Sequence, residues 1–426
     1  MLGSYDIVMR MAESIVLAAS SLAPDSSRAK FMRFGRGQHR CTLKVRREVA
    51  SLPQDRPTVW FHCASLGEYG IARPIISELK RRSGCNVALT FFSPTGYEAL
   101  KSRGAVEGGP DAVWYLPLDT KRNATRFLDA LKPDCAVFMV SEYWHNYLNL
   151  LHERHIPSLL VSAIIREDGP FFKWYGGLYR RSIKCFDSIY ALDGGSAERL
   201  RQLGVGNVRL NGDPLFDNAV LVARTAWSND TMERFVAGRK TFIAGSLHPD
   251  QDLELVAQLA NDNPDTPFII VPHEITSSTL RAIEQKLDGK TVRLSECGAE
   301  TSFAGVQSII VDSVGSLAYL YRYGTWAYVG GGFTRLLHSV IEPVVYGLPV
   351  AFGPEIRRKV TPRELEELGI GQRVENASQF ALWFHRLQND NLLELIRNRA
   401  DAYVARNTGA TPRVVDAIMD RICGKK

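Results

Sequence analysis

Residues 325–354, from Thr325 to Pro354, read TWAYVGGGFTRLLHSVIEPVVYGLPVAFGP, and this stretch decides the fold. Trp326 to Val329 is a short apolar run stopped by Gly330, Gly331 and Gly332; Leu348 to Phe352 is a second, closed by Gly353 and Pro354. Both predict buried strands. The residues between them predict a helix. Ser339 with Glu342 three places on has the spacing of a capping box, the helix runs through Pro343 to Tyr346, and Gly347 stands where an αL C-cap belongs. A glycine-rich strand end feeding a helix N-terminus offers free N–H groups and a positive dipole end to an anion, a nucleotide phosphate above all. The stretch has neither a Walker lysine nor G-x-G-x-x-G spacing, so it is neither a P-loop nor a dinucleotide fingerprint. The plainer alternative is an ordinary βαβ crossover whose glycines permit close packing, with Ser339 and Glu342 as caps and His338 as a hydrogen-bonded loop residue.

The same punctuation recurs on both sides. Thr58–Cys63, Val87–Phe92, Val113–Leu118, Cys135–Val140, Ser158–Ile165, Ser188–Leu192 and Val208–Asn211 are apolar runs separated by helix-compatible stretches. A second series begins at Thr241–Ala244 and continues through Phe268–Val271, Thr291–Leu294, Ser308–Val311, Trp326–Val329 and Val350–Phe352. Alternation of this kind predicts parallel α/β sheets. A chain of 426 residues exceeds what one core supports, so two doubly wound units are expected, joined by a linker between Asp217 and Lys240. Ligands of such sheets bind at the carboxyl ends of the strands, here in a cleft between the units. Polar residues gather at those ends: Ser65-Leu-Gly-Glu68, Ser141-Glu142-Tyr143-Trp144, Gly245-Ser246-Leu247-His248, Pro272-His273-Glu274 and the opening stretch itself. Taken singly, Glu68 and Glu142 read as helix-terminal acids and His248 and His273 as structural histidines. Five such groups at equivalent positions argue for a site.

The composition, 45% hydrophobic and 23% charged, is that of a globular chain. A net charge of +6 without any block of like charge excludes a nucleic-acid arm and suits acidic ligands or an anionic membrane. Seven scattered cysteines with no C-x-x-C pair read as reduced, mostly buried thiols of a cytoplasmic protein, not as a disulfide frame or a zinc site. At the N-terminus, Ile7, Met11, Ile15, Ala18 and Leu22 share one helical face, with Asp6, Arg10, Glu13 and Ser14 largely on the other. Arg28, Lys30, Arg33, Arg36, Arg40, Lys44, Arg46 and Arg47 follow. An amphipathic helix beside a basic segment is the pattern of a membrane-surface anchor, too charged and short to span; the alternative is a helix packed on its own domain.

Several segments together carry a family resemblance: WFHCASLGEYGIARPII (60–76), TFFSPTGYEAL (90–100), YLPLD (115–119), SEYWHNYLNLLHERHIPSLLVSA (141–163), NGDPLFD (211–217), IAGSLHPDQD (243–252), VPHE (271–274), VGGGF (329–333), HSVIEPVVYGLPVAFGP (338–354) and VARNTGAT (404–411). In this combination the chain resembles the 3-deoxy-D-manno-octulosonic acid (Kdo) transferases of lipopolysaccharide assembly. Ser162-Ala163-Ile164-Ile165-Arg166 and Phe171 to Arg180 resemble one branch of that family.

The resemblance implies a GT-B fold, two Rossmann-like domains facing a central cleft, and transfer of Kdo from CMP-Kdo to a lipid A precursor with inversion. The expected domains are 1–48 as a membrane-associating helix and basic segment, 49–220 for the acceptor, 221–405 for the nucleotide sugar, and 406–426 returning to the first domain. Glu68 matches the family's base and Glu142 its second acid. Ser246, His248, Pro272, His273, Gly330, Gly331, Gly332, His338, Ser339 and Glu342 would hold the donor; Ser65, Gly67, Thr95 and Arg166 would hold the acceptor. The expected partners are donor, lipid acceptor and membrane surface, with no nucleic acid, at the cytoplasmic face of the bacterial inner membrane. Neither cofactor nor metal is expected, because CMP leaves as a monophosphate and Asp250-Gln-Asp252 sits in a helix's first turn, where acids serve the dipole. The sequence departs from the family at Ser339, where relatives carry asparagine, and at Thr334, Leu336 and Leu337, which fill a turn that usually contains glycine. Two other readings stand beside this one: a UDP-sugar transferase or epimerase of the same architecture, and a membrane-associated nucleotide-binding module without turnover. A dehydrogenase lacks its fingerprint.

Overall fold

In the computed structural model the described residues are 2–22, 30–39, 41–103, 108–334, 337–356 and 359–424. Arg28, Arg40 and Leu336, singled out above, lie outside them. The chain forms two compact units, Met1–Asp217 with Asn407–Lys426, and Asn218–Arg406.

The first unit is built on β1 (Thr58–Cys63), β2 (Asn86–Phe91), β3 (Ala112–Tyr115), β4 (Cys135–Met139), β5 (Ser158–Ala163), β6 (Ser188–Ala191) and β7 (Val208–Leu210). They form one sheet in the order β3-β2-β1-β4-β5-β6-β7, and every pairing is parallel. The strands read as continuous apolar runs because both faces are covered. Along β1, Trp60 points into one core with Phe127, Phe138 and Tyr147, while Val59, Phe61 and Cys63 point into the other with Ile75, Ile76 and Leu79. The helix Ala410–Cys423 completes that second core through Val414, Val415, Ile418 and Ile422. Its entry is pinned by Asp217, whose carboxylate accepts from the N–H groups of Gly409 and Thr411, both at 2.6 Å. Arg413 adds bonds to Asn211 Oδ1 (3.0 Å) and its carbonyl (2.7 Å).

The N-terminal helix Leu2–Leu22 is also tied to this unit, by its polar side. Tyr5 Oη donates to Asp119 at 2.9 Å, Asp6 accepts from the Lys121 N–H at 2.6 Å, and Glu13 accepts from Asn123 Nδ2 at 2.6 Å. The apolar stripe faces outward: Ile7 and Met11 are 62% exposed and Leu22 is 87% exposed. Among the described residues no helix is long and apolar enough to cross a membrane.

The second unit contains β8 (Phe242–Leu247), β9 (Phe268–Pro272), β10 (Lys290–Arg293), β11 (Val306–Ile310), β12 (Trp326–Val329), β13 (Val350–Phe352) and β14 (Gly371–Arg373). The sheet is again parallel, in the order β10-β11-β9-β8-β12-β13-β14. β14 escapes sequence reading because Gly-Gln-Arg carries no apolar signal, and its Gln372 and Arg373 are exposed. The expected linker is largely helical, Pro214–Arg224 and Asp230–Val236, and the unit boundary falls inside the first of these helices.

Replacing Asp217 by alanine leaves two N–H groups at the start of the last helix without their acceptor. The expected cost is about 1–3 kcal/mol, read as a lower urea midpoint with an unchanged slope.

Candidate active site

In a doubly wound sheet the crevice opens where neighbouring strands send their connections in opposite directions. In the first unit that point lies between β1 and β4. Directly after β1, Ser65 is the N-cap of the helix Leu66–Ser83; its Oγ accepts from the Glu68 N–H at 3.4 Å. Glu68 reaches back and accepts from the Ala64 N–H at 2.5 Å, a reciprocal capping arrangement. The carboxyl nevertheless does not behave as a helix-end acid. Burial, and next the negative charge of Glu142, push it up to about 8, against the lowering effect of the Ala64 and Ser65 N–H groups.

Glu142 follows β4 after Val140, whose φ of 58° is a strained value for a β-branched residue. Its Oε2 accepts from Trp144 Nε1 at 2.7 Å and meets His62 Nε2 at 3.3 Å. His62 is fully buried, and its Nδ1 lies 2.9 Å from Thr90 Oγ1, which also accepts from Trp60 Nε1 at 2.9 Å. With Glu142 ionised, the Nε2–H tautomer of His62 donates to it and Thr90 donates to Nδ1. His62 was not among the expected site residues. The available signal was a histidine inside the apolar run TVWFHC.

Of the expected acceptor residues, Ser65 and Gly67 share the Glu68 turn. Thr95 is exposed on the helix Pro94–Arg103, whose approach is joined to that turn by the bond from Ser93 N–H to Ala64 O at 2.8 Å. Arg166 is exposed beyond β5, and among the described residues no hydrogen bond joins it to Glu68 or Glu142.

In the second unit the reversal lies between β8 and β12. The register of β8 against β9 shifts between Ala244 and Leu247, and Ser246 there has φ 53°. A Cβ on Gly330 would meet the Ser246 carbonyl at 2.3 Å, and Gly331 has φ 88°, so glycine is required at both for different reasons. Gly332 follows, its carbonyl accepting from the Glu355 N–H at 2.7 Å. The glycine turn is held by Asp252, which is fully buried and accepts from the Gly331 N–H and from Tyr328 Oη, both at 2.6 Å. Asp250 caps its helix through the Asp252 N–H at 3.0 Å.

Beyond the turn, the His338 N–H donates to the Gly330 carbonyl at 3.1 Å. The helix expected from Ser339 is shorter than its pattern suggested: it spans Ile341–Val345, its N-cap is Val340, and no side chain caps it. Ser339 Oγ instead accepts from the Ile341 N–H at 3.4 Å and interacts with the Glu342 carboxyl. The capping box is therefore not formed. Gly347 does adopt φ 74°. Burial raises the Glu342 carboxyl above its usual range, and burial followed by Glu342 raises the Tyr321 phenol. Ser246, Leu317, Tyr321, His338, Ser339 and Glu342 line a cavity of about 310 Å³. Pro272 ends β9 and is buried, and exposed His273 follows it.

The histidines treated separately in the sequence come together. His248 Nε2 and His338 Nε2 are 3.0 Å apart, and the ring of His273 lies 4.6 Å from that of His248 and 4.4 Å from that of His338. His338 is lowered to about 4, by burial first and then by its two neighbours; His273 is lowered by burial and His248. At neutral pH both are uncharged.

Known proteins resemble this chain in sequence and in fold. A family model for 3-deoxy-D-manno-octulosonic-acid transferase (kdotransferase) matches residues 32–218. The 3-deoxy-D-manno-octulosonic acid transferase of Bordetella pertussis is 27% identical over 383 residues, covering 85% of this chain and 87% of the relative. That of Aquifex aeolicus is 28% identical over 339 residues, covering 77% and 85%. Among solved structures, the UDP-GlcNAc 2-epimerase of Neisseria meningitidis bound to UDP-GlcNAc superposes with a TM-score of 0.60 at 15% identity, covering 85% of this chain and all of that one. MurG of Acinetobacter baumannii superposes at 0.54 and 14%, covering 85% and 99%. The structural likenesses show the GT-B type of fold, and these sequence matches are to 3-deoxy-D-manno-octulosonic acid transferases. Over most of its length this chain is similar to 3-deoxy-D-manno-octulosonic acid transferases.

Proposed function

We propose that this protein is an inverting glycosyltransferase that moves Kdo from CMP-Kdo to a lipid A precursor in lipopolysaccharide assembly. The observation that carries the mechanism is Glu68: a half-buried carboxyl beside Glu142, raised to about 8 and anchored by the Ala64 N–H. An acceptor hydroxyl attacking the anomeric carbon must lose its proton, and a carboxylate of raised basicity is suited to take it. Glu142, oriented by His62 and Trp144, tunes that basicity. It leaves Glu68 as the residue that meets the acceptor, with Ser65, Gly67, Thr95 and Arg166 as further acceptor contacts.

The donor belongs to the second unit. The cavity lined by Ser246, His338, Ser339 and Glu342 supports a nucleotide site there. Glu342 faces ribose hydroxyls, and the Gly330–Gly332 turn with His248, Pro272 and His273 faces the phosphate and sugar. Ser339 supplies one hydroxyl where relatives carry an amide, so its hold on the donor is simpler.

The enzyme works at the cytoplasmic face of the bacterial inner membrane, resting on it through the helix Leu2–Leu22. The outward Ile7, Met11, Ile15 and Leu22 support this, together with exposed Arg46 and Arg47.

The deciding experiment is transfer from freshly generated CMP-Kdo to a lipid A precursor. Product is expected from the native chain, with a loss of about 100-fold or more in Glu68→Ala. Nucleotide binding without transfer by the native chain would instead support a binding module. The pH dependence gives a second test. Below about 8, kcat/KM falls as Glu68 takes up its proton. In Glu142→Gln a negative neighbour is gone, ionisation of Glu68 becomes easier, and this limb moves to lower pH; a stationary limb would remove Glu68 from the role of base. For the membrane contact, Ile7→Ser with Ile15→Ser is expected to weaken sedimentation with phosphatidylglycerol vesicles by about tenfold or more, since each side chain loses apolar transfer energy of order 1.5 kcal/mol.

A further inference from the structure

The three central strands of the second sheet are β9, β8 and β12, in that order. β8 and β9 each deliver one histidine just past the carboxyl end, and the segment after the glycine turn beyond β12 delivers a third. His248 follows β8 directly and His273 follows β9 directly; His338 follows the glycine turn after β12. Their main chains are fixed by hydrogen bonds. The His273 N–H donates to the Leu247 carbonyl at 2.9 Å, the His338 N–H donates to the Gly330 carbonyl at 3.1 Å, and the His248 N–H bonds to the buried Asp252. One nitrogen from each ring lies within 4.8 Å of one from each of the others.

We propose that His248, His273 and His338 form a three-imidazole site for a divalent transition-metal ion of the zinc type. Three histidines, two on strand ends and one on a segment tied back to Gly330, are the donor set such ions take, with a fourth position left for water or an anionic oxygen. Oxygen-seeking magnesium and calcium are disfavoured, because the cluster holds no carboxylate.

The contacts within the cluster fit this better than a purely structural role. A neutral imidazole has one N–H and one lone pair, so the facing Nε2 atoms of His248 and His338 share a single proton at 3.0 Å. A tetrahedral ion with nitrogens at about 2.0–2.1 Å would hold them about 3.3 Å apart, so for this pair little movement separates the two states. His273 is exposed and its ring stacks on that of His248 at an interplanar angle of 19°, so its side chain rotates to aim a nitrogen at the ion, and from an exposed position it adds little to a core. His338 also lines the cavity with Ser246 and Glu342, so a bound ion would stand at its edge. The site does not depend on the identity of the sugar donor.

The test is zinc binding by the full chain after chelator treatment and dialysis, measured by calorimetry and by metal content. Cys423 is exposed and Cys297 half-buried, so both are first changed to serine to remove competing thiols. One zinc per chain is expected. His273→Ala, at an exposed position, is expected to melt as the parent does and to bind zinc about 100-fold more weakly or worse. Cobalt then distinguishes the ligands: d–d bands without a thiolate charge-transfer band are expected, and they should vanish in His248→Ala. No zinc binding by the parent, unchanged affinity in His273→Ala, or a thiolate band would each overturn the proposal.

Discussion

The second unit depends on one buried carboxylate. Asp252 has no solvent to stabilise it, and such a group is tolerated only when hydrogen bonds replace the lost water. Here they come from Tyr328 on β12, from Gly331 in the turn beyond it, and from the backbone of His248 past β8. The two strands at the sheet's reversal point are thereby locked together at their carboxyl ends. The glycine turn takes its shape from this acceptor: Gly331 can adopt φ 88°, and Gly330 can lie against Ser246, because neither carries a Cβ. His248 and His338 inherit their positions from the same anchor.

The first unit meets the same demand with two acids rather than one. Glu68 is bound to N–H groups at a helix start, an arrangement that favours its charge, yet burial and Glu142 outweigh them. The balance leaves its carboxyl raised to about 8. Glu142 can remain beside it because His62 and Trp144 hold its oxygen, and His62 in turn is held by Thr90. Val140 and Ser162, with φ of 58° and 56° at the ends of adjacent strands β4 and β5, and Ser246 at the end of β8 mark strain at the strand ends of both units. Backbone strain collects where side chains must be aimed.

The N-terminal helix illustrates a different constraint. Its amphipathic pattern says that two faces differ, and says nothing about which one meets the domain. Tyr5, Asp6 and Glu13 find Asp119, Lys121 and Asn123 while Met9 and Val16 join a small apolar cluster, so this mixed face packs inward and Ile7, Met11, Ile15 and Leu22 are left outside. Asp119 is fully buried and also accepts from the N–H groups of Asn146 and Tyr147 at 3.2–3.3 Å, so the helix is attached to an already saturated polar centre.

Much of this architecture was legible in the sequence, since strand runs such as Thr58–Cys63 and Trp326–Val329 are buried on both faces and their composition is local information. β14 was not legible, because Gly-Gln-Arg joins the sheet only through β13. Of the site, Ser65 and Glu68 could be read from spacing, as the capping arrangement lies within four residues. Ser339 and Glu342 have the same spacing without that geometry, because the glycine turn sets where the following helix begins. The raised carboxyl of Glu68, the place of His62 beneath Glu142 and the meeting of His248, His273 and His338 lay beyond sequence reading. Local pattern determines which segments become strands and helices; contacts between residues 80 to 90 positions apart, as in His62–Glu142 and His248–His338, exist only once the sheets have closed. Burial and mutual charge then decide what each group can do.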